Sequence, residues 1–261
     1  NTSELENNID YENLNKYKQF DLELPTNYKH KLCNHLKENK KNECLKYVYN
    51  CHNNYKLLKT LKGHTDRVRS FGFNHDGTKI VSGSDDKTIR VWNVDTGECI
   101  VTLEGHTYDI SSVGFNHDCT KIVSGSYDNT IRVWNVDEKS DIYQYSECIL
   151  TLKGHTSYVN SVGFNHNGTK IVSGSSDETI RVWNVDEESD IYQYGECILI
   201  LEDHTDGVTS VGFNHDGTKI VSGSHDKTIR VWNVDVKSDI YQYGECILTL
   251  KGHTSYVNSV G

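Results

Sequence analysis

Histidine, serine and aspartate recur together along this chain. They are the parts of a nucleophilic hydrolase, in which an imidazole takes a proton, a carboxylate orients it and a hydroxyl attacks. His64, His106, His155, His204 and His253 each open a stretch that holds serine, and in the first four also aspartate, at constant offsets. A second set, His75, His117, His166 and His215, keeps its own regular spacing and is of a type that ligates metal. A third group, His30, Cys33, His35, Cys44, Cys51 and His52, has the ligand types of zinc but lacks the close Cys-x2–4-Cys pairs of zinc modules. One hydrolytic and two metal readings therefore have to be weighed against the elements that would hold these residues.

Those elements are repeats. The leading histidines are separated by 42, 49, 49 and 49 residues, and Trp92, Trp134, Trp183 and Trp232 keep step at 42, 49 and 49. A fixed period of this length marks a stacked repeat architecture. Each unit reads as four short strands with turns between them, in the first copy Val68–Phe73, Lys79–Ser84, 88–94 and 99–103. Asp76-Gly77, Asn167-Gly168 and Asp216-Gly217 predict a tight type I′ hairpin between the first two strands, with Asp118-Cys119 a poorer pair where positive φ is wanted. Cys99, Cys148, Cys197 and Cys246 fall at one repeat position, too far apart to be disulfide partners, and are expected as small buried hydrophobes.

Gly63-His64, Val81-Ser82-Gly83-Ser84, Asp86 and Thr88-Ile89-Arg90-Val91-Trp92-Asn93 resemble one WD40 repeat, written four times and begun a fifth. The resemblance implies an all-β fold of β-propeller blades around a central channel. Blades are expected at 64–103, 106–152, 155–201 and 204–250, with the start of another at 253–261, all within a repeat region of 55–261. It also implies a polar tetrad per blade: His64, Ser82, Asp86, Trp92; His106, Ser124, Asp128, Trp134; His155, Ser173, Asp177, Trp183; and His204, Ser222, Asp226, Trp232. A set repeated in four blades and buried against an indole is structural, so no catalytic residue is expected, and a hydrolase is the less favoured reading. His75 and its counterparts fall beside turns, one per blade, and blade separation leaves no metal or cofactor expected there. Trp-Asn replaces the family's Trp-Asp, and Asp203 replaces a glycine, which predicts a strained or altered loop before His204.

The family's ring usually has about seven blades. Four copies, a leading fourth strand at 57–61 and a lone first strand near 254–261 cannot complete one. The chain is therefore expected to be a fragment of a longer one, to close unusually or to self-associate and complete the ring.

Function is expected where near-identical copies diverge. One divergent set flanks the first apolar residue of strand one: Arg67 and Arg69, Asp109 and Ser111, Tyr158 and Asn160, Gly207 and Thr209. Another precedes the tetrad aspartate: Asp85, Tyr127, Ser176 and His225. Both sets are expected on one rim at the channel mouth. The resemblance implies that this rim grips peptides or partner domains, and Arg and Tyr suit such contacts. Three copies add seven residues between strands three and four, including Ile142, Ile191, Ile240 and six tyrosines, a second candidate surface on the opposite rim.

Residues 1–54 are different, holding 12 of the 24 Asn and no Gly. Helices are expected at 24–52. Leu24-Pro25, Leu32, Leu36 and Cys51 faintly resemble an F-box, the tail of a BTB-type adaptor is an alternative of similar standing, and the plain reading is a helical lead-in that packs on the propeller. The net charge of −10 argues against nucleic acid, including through Arg67, Arg69 and Arg90, and no apolar run is long enough to span a membrane. An intracellular, cytoplasmic or nuclear, non-enzymatic scaffold that binds other proteins is the leading expectation. The alternative is a substrate-recognition subunit of a ubiquitin ligase.

Overall fold

A computed structural model describes residues 58–139 and 146–260. The expectations for residues 1–54, the strand start at Leu57, and Ile142, Tyr143 and Tyr145 lie outside the described residues. The rest is all-β, in four antiparallel four-stranded meanders. The first blade is β1 (Val68–Phe73), β2 (Lys79–Ser84), β3 (Thr88–Asn93) and β4 (Cys99–Glu104). The second is β5 (Ile110–Phe115), β6 (Lys121–Ser126), β7 (Ile131–Asn135) and β8 (Cys148–Leu152). The third is β9 (Val159–Phe164), β10 (Lys170–Ser175), β11 (Ile180–Asn184) and β12 (Cys197–Leu201). The fourth is β13 (Val208–Phe213), β14 (Lys219–Ser224), β15 (Ile229–Asn233) and β16 (Cys246–Leu250).

The Ile-Val-Ser-Gly-Ser run makes the second strand of each blade, nearly all of it buried, as a strand covered on both faces must be. In the third strand the buried Ile89 and Val91 alternate with the half-buried Thr88 and Arg90. The hydrophobic core lies between blades. Val81, Ile89, Val91 and Leu103 of the first blade pack with Ile110, Val113, Ile122 and Trp134 of the second. The same layer recurs at the next two junctions.

Close approach across these junctions requires glycine. A methyl group on Gly83 would sit 2.6 Å from Ile110 and 2.9 Å from Val113; one on Gly125 would meet Val159 at 2.8 Å and Val162 at 3.0 Å. Gly223 forms the same socket, filled by Val257 and Val260. The lone first strand expected near 254–261 is thus docked where a fifth blade would begin, with Val257 N–H donating to Ser224 O at 3.1 Å. It is not paired into a sheet, because no second strand lies beside it among the described residues. Residues 58–61 likewise lack strand pairing, although Lys59 and Leu61 lie against Gly97 as Leu150 and Leu152 lie against Gly195. At the leading end Val68 is 45% exposed, whereas its counterparts Ile110 and Val208 are 1% and 0%. Phe71 and Phe73 share that uncovered face.

Three expectations are corrected. The first hairpin is not type I′, which needs positive φ at both central residues. Only Gly77 has it (φ 73°), while Asp76 directs its side chain forward to accept from the Thr78 N–H (2.8 Å) and hydroxyl (2.5 Å). Cys99 is exposed and Cys148, Cys197 and Cys246 only half-buried, since they begin the outermost strand of each blade rather than an inner one. Of the two alternatives for the loop before His204 only strain is overturned: Asp203 stays out of the left-handed region, unlike Gly105 and Gly252 at the same repeat position, and reaches Arg230 at 3.6 Å.

Two stability outcomes follow. Gly125→Ala overfills the junction and lowers unfolding free energy by about 1–3 kcal/mol in urea denaturation. Cys119 holds the left-handed turn position (φ 65°) that glycine takes in the other blades. Cys119→Gly should therefore raise stability, by about 1 kcal/mol, and an unchanged or lower midpoint contradicts that reading.

Candidate functional site

In each blade the third strand presents its tryptophan, the second strand its first serine, the β2–β3 turn its aspartate, and the loop before the first strand its histidine. Trp92 Nε1–H donates to Ser82 Oγ (2.8 Å), His64 Nε2 lies 2.7 Å from the same oxygen, and His64 Nδ1 lies 2.8 Å from Asp86 Oδ2. The second blade repeats this at 2.9, 2.8 and 2.8 Å for Trp134, Ser124, His106 and Asp128. Trp183, Ser173, His155 and Asp177 give 2.9, 2.7 and 2.8 Å. Trp232, Ser222, His204 and Asp226 give 2.9, 2.8 and 2.6 Å. The other serine serves the turn instead, Ser84 Oγ donating to Asp66 O and accepting from Asp86 N–H.

The carboxylates are held ionised. Burial pushes Asp226 up, but the Thr228 hydroxyl, the His204 ring and the Thr228 N–H outweigh it and pull it down to about 2. Asp86, Asp128 and Asp177 move the same way, well below the usual carboxylate range, by the same opposition of burial to Thr and His donors. Burial lowers His204 despite Asp226, so its ring is neutral. One assignment then satisfies every atom: Nδ1–H donates to Asp226, Nε2 accepts from the Ser222 hydroxyl, and Ser222 Oγ accepts from the indole. The distances are those of a hydrolytic triad, yet Ser124, Ser173 and Ser222 are wholly buried and their oxygens serve the indole. What the arrangement does is tie a loop, two strands and a turn together.

The two divergent sets meet along one rim. Arg69 donates to Asp85 in its own blade, and to Asp109 (3.2 Å) and the Tyr127 hydroxyl (3.3 Å) in the next. Arg67 also donates to Asp85 (3.1 Å), and its side chain stays 67% exposed. Tyr127 stacks on Tyr158, centroids 4.5 Å apart and planes 20° apart. Asn160 Nδ2 donates to Ser176 Oγ (2.9 Å) and to Val208 O (2.8 Å). Ser111 and Thr209 hydroxyls reach Val159 O and Val257 O of the following unit. His225 lies 4.3 Å from Tyr256, centroid to centroid.

Arg69, Ser111, Asn160 and Thr209 therefore clasp one blade to the next, a role that comparison of the copies alone did not show. Arg67, Tyr158 and Tyr256 keep exposed surface, and so does Tyr108, with the Lys87 ammonium 5.5 Å from its ring centre. Tyr108 was missed by sequence reasoning, although its counterparts Asp66, Ser157, Asp206 and Ser255 show that this position also varies. The Arg90 guanidinium lies 6.0 Å from the ring centre of Trp92.

On the opposite side, Ile191 and Ile240 are 82% and 81% exposed, whereas Tyr194 and Tyr243 pack into the blade junctions instead of forming a surface. Burial pushes the Tyr194 hydroxyl up to about 12. Contrary to expectation, His75, His117, His166 and His215 are not kept apart by their blades. They lie ring against ring, because their turns converge where the innermost strands end.

The chain matches the family model described as the WDR41 β-propeller over residues 38–186, and the model described as WD domain, G-beta repeat over 195–233. Among curated proteins it is similar to the ribosome biogenesis protein BOP1 homologs of Drosophila grimshawi and Drosophila ananassae, each 56% identical over 39 residues. The Drosophila melanogaster homolog is 54% identical over the same length. These matches cover 15% of this chain and span only 5% of the relatives' length.

The lowered aspartates set an acid limit on the fold. A group whose folded pKa is depressed contributes stability that is full above its unfolded value and is lost as pH falls through the folded one. Urea midpoints should hold near pH 7, fall as pH drops below the carboxylate's ordinary 3.8, and continue falling toward 2. A midpoint flat across that window would remove the tetrads from the stability account.

Proposed function

The chain belongs to the WDR41 β-propeller family, and on that premise we propose that it is a non-catalytic scaffold which binds a partner protein through the rim carrying Arg67, Tyr108, Tyr158 and Tyr256. The observation that carries this reading is where the copies differ. The tetrads and junction glycines are constant, while variation gathers on one rim and leaves large side chains exposed there, over a hydrogen-bonded layer that holds them still. Preorganised Tyr and Arg lose little entropy when a partner covers them. Asp85, Asp109, Tyr127, Asn160, Ser176, Thr209 and His225 serve beneath, as that positioning layer.

The substrate-receptor alternative rests on residues 24–52, outside the described residues, and draws nothing from the rim. The Drosophila relatives are named for ribosome biogenesis; the shared 39 residues are about one repeat, which supports the blade rather than that role.

The test replaces Arg67, Tyr108 and Tyr158 together with alanine. Affinity for a partner recovered with the wild-type chain should fall at least tenfold, while the urea midpoint shifts little, exposed substitutions costing about 0.5 kcal/mol or less each. Undiminished binding by a folded variant would move the site off this rim.

A further inference from the structure

The four turns at the far ends of β1, β5, β9 and β13 each present an exposed histidine, and the rings form a continuous column. His75 and His117 have centroids 4.1 Å apart, His117 and His166 4.3 Å, His166 and His215 4.5 Å. Adjacent planes are tilted by 54°, 45° and 51°, so these are not parallel stacks, and lone pairs lying in neighbouring planes can converge. Each ring is held by an anchored turn: Asn74 Oδ1 accepts from Lys79 N–H and Asn116 Oδ1 from Lys121 N–H (both 2.8 Å), and Asn165 and Asn214 do the same.

The spacing selects a ligand. Two imidazole nitrogens about 2.0–2.1 Å from one ion place their ring centres about 4.5 Å apart at a right angle, and about 5.2 Å apart at a tetrahedral one. The observed separations fit the right angle, the geometry of tetragonal Ni(II) or Cu(II) rather than tetrahedral Zn(II). The turns also carry Asp76, Asp118 and Asp216, each next in sequence to a histidine of the column. Among the described residues no three or more His, Cys, Asp or Glu side chains gather as a metal site. An ion on the column therefore takes two protein ligands and keeps water in its other positions.

We propose that the His75–His117–His166–His215 column is an open binding site for tetragonal divalent transition-metal ions, each held by imidazoles from two neighbouring blades. The unit of binding is the adjacent pair, so occupancy also links one blade's turn to the next.

Titration calorimetry of the intact chain with NiCl2 tests this against the double variant His117→Gln/His166→Gln, which retains no adjacent pair. Ni2+ binding to the wild type should be at least tenfold tighter than to the variant, and His215→Gln, which leaves two adjacent pairs, should keep it. A second double variant, His75→Gln/His166→Gln, also has no adjacent pair and must show the same loss, with metal-free melting unchanged in every variant. Equal Ni2+ binding by the wild type and both folded double variants, or none by the wild type, overturns the proposal.

Discussion

A buried serine oxygen between an indole and an imidazole is the contact on which each blade depends. From the second blade on, the tryptophan fills the junction with the preceding blade, and in every blade its N–H must have a partner once water is excluded. Serine supplies that partner only because histidine takes the serine's own proton, and histidine is oriented only because an ionised aspartate takes the proton on its other nitrogen. The aspartate in turn accepts from backbone N–H groups on both sides of the turn and loop, as Asp86 does from Thr65 and Thr88. Removing any member strands a buried polar atom, which costs more than the bond itself is worth. The resemblance of the set to hydrolytic machinery is therefore one of geometry: the hydroxyl that would attack is committed to the fold.

The Ser-Gly-Ser run concentrates three roles in three residues because side chains alternate across a strand. Ser124 faces the preceding blade and its own tryptophan, Gly125 gives way to Val159 and Val162 of the next, and Ser126 ties the strand's end to Tyr108 O. This run is identical in all four copies, since a change at any of the three disturbs a different neighbour. The freedom left to the copies lies at the strand ends. At one end it yields the layer of Arg69, Tyr127 and Asn160 with exposed Arg and Tyr above it. At the other end the turns stay nearly constant, and their constancy is what aligns four histidines.

Much of this was legible in the residues. The second strand begins and ends where the Lys-Ile-Val-Ser-Gly-Ser run does, and the side chains drawn together around each indole stand at the constant positions of the repeat. The turn type was misread because Asp76 bonds forward to Thr78, a local side-chain choice that the Asp-Gly pair does not disclose. The cysteines were misplaced because an apolar residue at a constant position need not be an inner one: the fourth strand is the blade's outer edge.

Period and residue type alone determined the four meanders, their order and the internal partners of each blade, because those contacts lie within about one repeat, where strand alternation and hairpin connection leave few arrangements. Tertiary structure alone decided what happens between blades. That Asn160 reaches Val208 O, that Tyr127 lies on Tyr158, and that His75, His117, His166 and His215 touch in sequence follows from how closely the innermost strands approach, set by junction glycines and the side chains that fill them. Residues a whole repeat apart carry no local signal of being neighbours, so the rim layer and the histidine column emerged only when the blades were placed side by side.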